Sequence, residues 1–430
     1  MQKQYFMKKF LSLIFILISF IASAQNFNDY FTDKTLRLDY IFAGNANQQS
    51  IYLSEMIQLS KWHGRVDNLS VTPIQGNGQI KVYSTANDKL IYVLPFGSLF
   101  QEWLTLEDAK KQFKSFENSF LIPFPKEPIR VDISFFTTDS QERILSQQFI
   151  DPKDILIRKS SDVQNPYEIV HHSKVKNPIK IALVAEGYAE NELDLFMEYA
   201  HKTVENLFKH KVFKKYQDYF EIVAVKTVSK QSGISIPSKD IWLNTAVKSN
   251  FDTFYSNRYL TTLHTKLLHN QLENIPYQHI IILANTDFYG GGGILNSYSL
   301  TTTKNKEFAP VVVHEFGHSF AGLADEYFYE EDVFENKATL SIEPWEKNIT
   351  SLVDFSSKWK NLLKAETPVP TDASMQKEIK IGAFEGLKVN GLYIPTLTCR
   401  MKINNTEDFC PVCSNAIEEM ILFYTTKQKK

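Results

Sequence analysis

The stretch VVVHEFGHSFAGLADEY, Val311–Tyr327, decides how this chain is read. It sets His314 and His318 four residues apart with Glu315 between them. On a helix of 3.6 residues per turn the two imidazoles lie on nearly the same face, one turn apart. Both can then reach one zinc ion while Glu315 faces a water activated by it. Zinc lowers the pKa of such a water toward ~7, and a carboxylate beside it can take the proton and pass it to a leaving amine. Five matching residues are weak evidence by themselves, but their surroundings strengthen them. Val311, Val312, Val313, Phe316 and Phe320 mark a buried helix, where two imidazoles and a carboxylate are costly without partners. Gly317 inside it costs about 1 kcal/mol relative to alanine. A catalytic zinc takes three protein ligands and keeps one position open. A straight helix would put Asp325 ~10 Å beyond His318 along its axis. Gly322 permits the positive-φ turn that ends the helix and returns the chain. Asp325 is therefore expected as the third ligand and Glu326 as the alternative; the blander reading makes both acids orienting partners of the histidines.

Working outward, the chain has 430 residues, enough for two domains. With 43% hydrophobic and 22% charged residues it is globular, and a net charge of −2 carries no nucleic-acid footprint. The lysines of the terminal TTKQKK read as a solvated tail. Residues 1–24 have the layout of a secretory signal: Lys8 and Lys9, an apolar run from Phe10 to about Ala22, then Ala22-Ser23-Ala24. That run is shorter than the ~20 residues of a membrane span. Cleavage after Ala24 would deliver the rest to the periplasm, the cell surface or the exterior. No later segment is apolar enough to span a membrane, and no cysteine follows the cleavage site to carry a lipid. The sequence holds no signal of oligomeric state.

Residues 25–160 read as an all-β sandwich. TLRLDYIFAG, QIKVYST, KLIYVLPF, IRVDISFFTT and ILSQQFI alternate or are β-branched, separated by turn sequences, with a helical insert at TLEDAKKQFKSF. His63 stands alone, and the adjacent His171 and His172 would point to opposite faces of a strand. The polar, proline-bearing segment around residue 160 marks the boundary, so residues 161–430 form the second domain. There IKIALVAEGY, FEIVAVKTV and QHIIILANT read as buried strands. They alternate with helical patterns, one from Asn191 to about Tyr216 and one over FDTFYSNRYLTTLHTKLLHNQL. That alternation is an α/β (α+β) signature.

HEFGHSFAGLADEY resembles the signature of the IgA peptidases, secreted bacterial zinc metallopeptidases related to the metzincins. In metzincins the glycine follows the second histidine by three residues and the third ligand by six; here Gly322 and Asp325 each fall one later, as in the IgA peptidases. The resemblance extends to ANTDFYGGGGILNSYSLTT, similar to a glycine-rich turn leading into an edge strand, where Gly292, Gly293 and Tyr298 would meet an extended peptide. It extends also to TCRMKINNTEDFCPVC, similar to the family's methionine turn and cysteine-rich segment, which implies Met401 as an apolar floor beneath the zinc. A disulfide from Cys399 to Cys410 or Cys413 would pin that turn. A second zinc site, for which no fourth ligand stands nearby in sequence, and free thiols are the other readings. With three cysteines at least one stays unpaired within the chain.

The expectation is a metzincin-like domain behind a β-sandwich, using one catalytic Zn2+ to hydrolyse protein or peptide bonds. Two other classes compete: a surface protein binding glycan or host protein with a structural metal, and a hydrolase of non-peptide amides. The intact Glu315 weighs against the first.

Overall fold

The computed structural model describes residues 26–161, 163–327, 340–387 and 391–427; the expected signal segment, residues 1–24, lies outside them. A single helical turn, α1 (Phe27–Tyr30), leads into eight strands: β1 (Phe31–Gly44), β2 (Gln49–Leu59), β3 (Gly78–Ser84), β4 (Leu90–Phe96), β5 (Lys114–Pro125), β6 (Ile129–Phe136), β7 (Glu142–Ile150) and β8 (Ile157–Lys159). They form two four-stranded sheets, in the orders β5-β1-β2-β8 and β4-β3-β6-β7. Alternate residues point inward, and the two sheets meet through aromatic rings. Phe42 and Phe120 from one sheet pack on Phe96 and Phe135 from the other, at centroid distances of 4.8–6.1 Å. The helix expected at TLEDAKKQFKSF is corrected. Helix α2 (Leu99–Trp103) lies before it, Glu107–Lys110 make one 3-10 turn, and β5 already begins at Lys114. Phe116, Phe120 and Ile122 are drawn into the sandwich core at a two-residue period that local helix propensity cannot resist.

Strand β8 ends the first sheet, and β9 (Tyr167–His171) begins another. This six-stranded mixed sheet contains β10 (Ile179–Glu186), β11 (Phe220–Val225), β12 (His279–Ala284), β13 (Gly291–Ile294) and β14 (Tyr298–Thr302), in the order β13-β14-β12-β10-β11-β9. The four inner strands are parallel, and β9 and β13 are antiparallel edges. One face is covered by α3 (Leu193–Lys209), α6 (Phe308–Ala321) and α7 (Pro411–Thr425); α4 (Lys211–Lys215) follows α3 after a break at His210. Ile181 and Leu183 of β10 face these helices, whereas Ala182 and Val184 face α5 (Thr265–Gln271) and the sandwich. Burial on both faces explains why the inner strands read as unbroken apolar runs. A small hairpin, β15 (Phe384–Glu385) with β16 (Tyr393–Ile394), stands apart. The whole is a mixed, sheet-rich fold.

Residues 251–272, expected to be helical, are so only over α5. Asp252, Phe254 and Tyr255 adopt left-handed φ of 60°, 53° and 65°, which an α-helix excludes. The segment they bend becomes part of the site. Across the two halves, Arg37 makes a bidentate pair with Asp39, both fully buried, and donates to Asn270 Oδ1 (2.7 Å) and the Lys266 carbonyl (3.0 Å) of α5. Among the described residues no helix is long and apolar enough to cross a membrane.

Candidate active site

Helix α6 carries the histidines, and three sequence features set its position. Pro310 falls in the first turn, where its missing N–H has no intrahelical partner to lose. Gly322 ends the helix at φ 61°, its N–H donating to the His318 carbonyl (3.0 Å), and a Cβ there would stand 2.6 Å from the Trp345 ring. Gly317 lets Met401 come close beneath the helix, for a Cβ would lie 3.0 Å from its Sδ. Met401 is wholly buried.

The turn at Gly322 brings Asp325 back to the histidines. Asp325 Oδ1 stands 3.0 Å from His314 Nε2 and 3.3 Å from His318 Nε2, and the two Nε2 atoms are 3.0 Å apart. The opposite nitrogens fix the tautomers. His314 Nδ1 meets the Arg400 carbonyl at 2.9 Å and His318 Nδ1 meets the Leu323 carbonyl at 2.5 Å. A carbonyl only accepts, so both Nδ1 atoms carry the proton, and in the neutral rings each Nε2 presents a lone pair. Two lone pairs and a carboxylate oxygen can then converge on one point, an arrangement suited to a cation. Of the two adjacent acids, Asp325 faces this point. Glu326 turns away into full burial, where its Oε1 accepts from Asn348 Nδ2 at 3.0 Å and stands 3.1 Å from Cys413 Sγ.

Glu315 lies beside the histidines, its ligand oxygen within 4.8 Å of their nitrogens. Gly291 of β13 is pressed against it: a Cβ there would be 2.5 Å from Glu315 Oε1. Burial pushes the Glu315 carboxyl up. Two further groups that sequence reasoning missed lie close to the site. Tyr259 lies on the bent segment with its ring against Gly292, and its hydroxyl donates to Glu102 of α2. Burial is the main reason the Glu102 carboxyl is pushed up to about 7; the hydrogen bond from Tyr259 works the other way. Neither residue belongs to a local motif, so only the tertiary fold brings them here.

Three expectations change. The outer side of the edge strand is already occupied at Gly291, so an extended peptide cannot pair along the whole of it. Gly291 pairs with Arg258 and Leu260, and the Leu295 carbonyl accepts from Gly97 of the sandwich at 3.0 Å. Gly292 and Gly293 instead let strand and neighbours close up. A Cβ at Gly292 would be 2.9 Å from the Leu260 carbonyl oxygen, and at Gly293 2.4 Å from that of Glu315. Tyr298 belongs to the core of β14, where its hydroxyl donates to the Thr262 carbonyl (2.7 Å). Finally, no disulfide joins the cysteines: Cys399, Cys410 and Cys413 are free, with Cys399 and Cys413 Sγ 3.7 Å apart, far beyond the ~2.05 Å of a disulfide bond.

This donor set, with an acid at its side, defines a metallopeptidase class of site, and comparison with known proteins agrees. The chain belongs to the IgA peptidase M64 family: the family profile matches residues 168–380, and the profile of the Peptidase M64 N-terminus matches residues 26–147. No curated protein matches it. Among solved structures, metalloproteinase-II from Bacteroides fragilis aligns over 53% of this chain and 82% of its own at 9% identity, with a TM-score of 0.21, too loose a likeness to bear on the fold.

Proposed function

We propose that this protein is an exported zinc endopeptidase acting on protein chains, with a metzincin-like set of active-site helix, returning carboxylate and methionine floor. The observation that carries the proposal is the convergence of His314 Nε2, His318 Nε2 and Asp325 Oδ1 at mutual distances of 3.0–3.3 Å. Tetrahedral zinc with bonds of 2.0–2.2 Å has ligand-to-ligand edges of about 3.3–3.6 Å, so the donors need to part by only a few tenths of an ångström to take that ion. His314, His318 and Asp325 would hold one catalytic zinc, which when bound polarises a carbonyl and makes water acidic.

The rest is done by the chain's own groups. The Arg400 and Leu323 carbonyls hold the two imidazoles in the tautomer and orientation that present Nε2. Glu315, aimed by the close approach of Gly291, takes the proton from the attacking water and delivers it to the amine nitrogen as the peptide bond breaks. Met401 and Gly317 pack without a gap beneath the helix, so the histidines cannot sink away from the carboxylate. Export rests on the layout of residues 1–24. The family description names immunoglobulin A; no contact at this site selects a side chain, so the proposal extends to protein substrates in general.

The test is Glu315→Gln in purified protein. It should retain stoichiometric zinc and lose about 10²–10⁴-fold in turnover of an unstructured protein substrate. Full activity in that variant would remove Glu315 from the mechanism, and zinc-loaded wild type that cuts no peptide would leave a binding role in place of catalysis.

A further inference from the structure

Behind the histidine site lies a second cluster that the peptidase reaction does not use. Cys399, Cys410, Cys413 and Glu326 are all buried, and one ligand atom from each lies within 4.8 Å of all the others. The cysteines fall outside both matched family stretches, residues 26–147 and 168–380. Glu326 has the side chain least expected here. It is wholly buried, and no described residue hydrogen-bonds its Oε2. A buried carboxyl oxygen without a partner calls for an explanation, and a bound ion held with the three neighbouring sulfurs supplies one.

The geometry points to a closed structural zinc site with Cys399, Cys410, Cys413 and Glu326 as its four ligands. Tetrahedral zinc with ~2.3 Å bonds to sulfur has sulfur-to-sulfur edges of about 3.8 Å, against the 3.7 Å between Cys399 and Cys413 Sγ. The backbone is arranged to hold thiolates. The Cys410 N–H points at Cys399 Sγ (3.3 Å) and the Cys413 N–H at Cys410 Sγ (3.4 Å). Cys410 is the N-cap of the fifteen-residue helix α7, where the helix dipole favours a negative sulfur. A Cys-x-x-Cys pair at a helix start also suits thiol exchange, but Cys410 and Cys413 are 4% and 0% exposed, closed to any exchange partner. Four protein ligands with no open position make the site structural rather than catalytic.

Its place in the chain gives it a purpose. Glu326 adjoins Asp325 and donates its N–H to the Met401 carbonyl (2.9 Å). Cys399 adjoins Arg400, whose carbonyl holds His314. An ion joining Glu326 to Cys399 therefore ties the returning carboxylate to the chain that orients the first histidine, and anchors both on α7. These four residues position the catalytic set without touching substrate.

The experiment is metal analysis with X-ray absorption on the purified chain and on His314→Ala/His318→Ala. Wild type should hold two zinc ions and the double variant one, whose spectrum shows sulfur neighbours at ~2.3 Å. Cys413→Ser in that background should abolish the remaining ion and lower the melting temperature. The catalytic set contains no sulfur, so zinc–sulfur scattering in wild type alone decides the matter if the variants do not fold. A single zinc with only nitrogen and oxygen neighbours, or an unreduced mass two hydrogens below the reduced one, would overturn the assignment.

Discussion

Gly291 and Gly293 sit two residues apart on β13 and offer opposite predictions. A Cβ at Gly291 would lie 2.5 Å from Glu315 Oε1, the free end of a side chain. Ordinary contact needs about 3.4 Å, so in Gly291→Ala the carboxylate must move about 1 Å, and a displacement of that size costs on the order of 10²-fold in rate. Gly291 is not at positive φ, so alanine fits the backbone there and should leave stability unchanged or raise it by up to about 1 kcal/mol. At Gly293 the Cβ would meet the Glu315 carbonyl oxygen at 2.4 Å and His318 Cβ at 2.8 Å. Main chain cannot swing aside. Strand and helix must part, at about 1–3 kcal/mol for overpacking, which in a protein of this size is a drop of several degrees in melting temperature. Thermal unfolding and kcat on an unstructured substrate, measured side by side, check both. Gly291→Ala with wild-type kcat would refute the placement of Glu315 as proton carrier. Equal loss of stability in the two variants would refute the distinction between a yielding side chain and an unyielding backbone.

Three other outcomes are expected. Asp325→Asn keeps the shape of the proposed third ligand but not its charge, and should weaken zinc binding by at least the 10–100-fold that outer partners are worth; competition with a chelator measures it. Arg37→Ala leaves Asp39 buried without its pair and should lower unfolding free energy by about 3–5 kcal/mol, read from denaturant titration. His279 packs against the rings of Phe320 and Tyr424, and burial pushes it down to about 3. The unfolded chain then takes the proton first, near pH 6.5, so stability is full above that value and falls as the pH drops toward 3. In chelated protein, His279→Leu should flatten the decline over that window in acid-unfolding curves.

What could be read in advance follows from where the determinants lie. The end of α6 was legible because one residue, Gly322, sets it. The run IKIALVAEGY announced β10 because burial on both faces leaves no polar position. The segment 251–264 was not legible. Its apolar spacing suits a helix, but left-handed Asp252, Phe254 and Tyr255 bend it along β13, and only tertiary pairing rewards that bend. Strand β5 carries Pro123 and Pro125, which read as breakers yet sit on the sheet's edge, where a missing N–H is tolerated. The division of labour between Asp325 and Glu326 is the sharpest case. They are neighbours of like charge, and local sequence gives no ground to separate them. Contacts from residues far along the chain do so: His314 and His318 on one side, Asn348 and Cys413 on the other.

The sandwich belongs to this reasoning as more than an appendage. Its Gly97 N–H donates to the Leu295 carbonyl (3.0 Å), and its Pro95 carbonyl accepts from Asn296 Nδ2 (2.8 Å). Asn296 N–H in turn donates to Ser319 of α6 (2.9 Å), and Tyr424 of α7 donates to Asn296 Oδ1 (3.1 Å). One β-turn therefore joins the sandwich to the helix of the histidines and to the helix that starts at the cysteine cluster. Glu102 adds a buried acid from the same domain beside Tyr259. A peptidase half expressed alone would leave the Leu295 carbonyl and Asn296 amide without these partners and would expose the apolar face of the central sheet, including Ala182 and Val184. The two halves are therefore expected to unfold in a single transition, read by calorimetry, because the turn that follows the edge strand beside Glu315 is itself held from the sandwich side; two separate transitions would refute it.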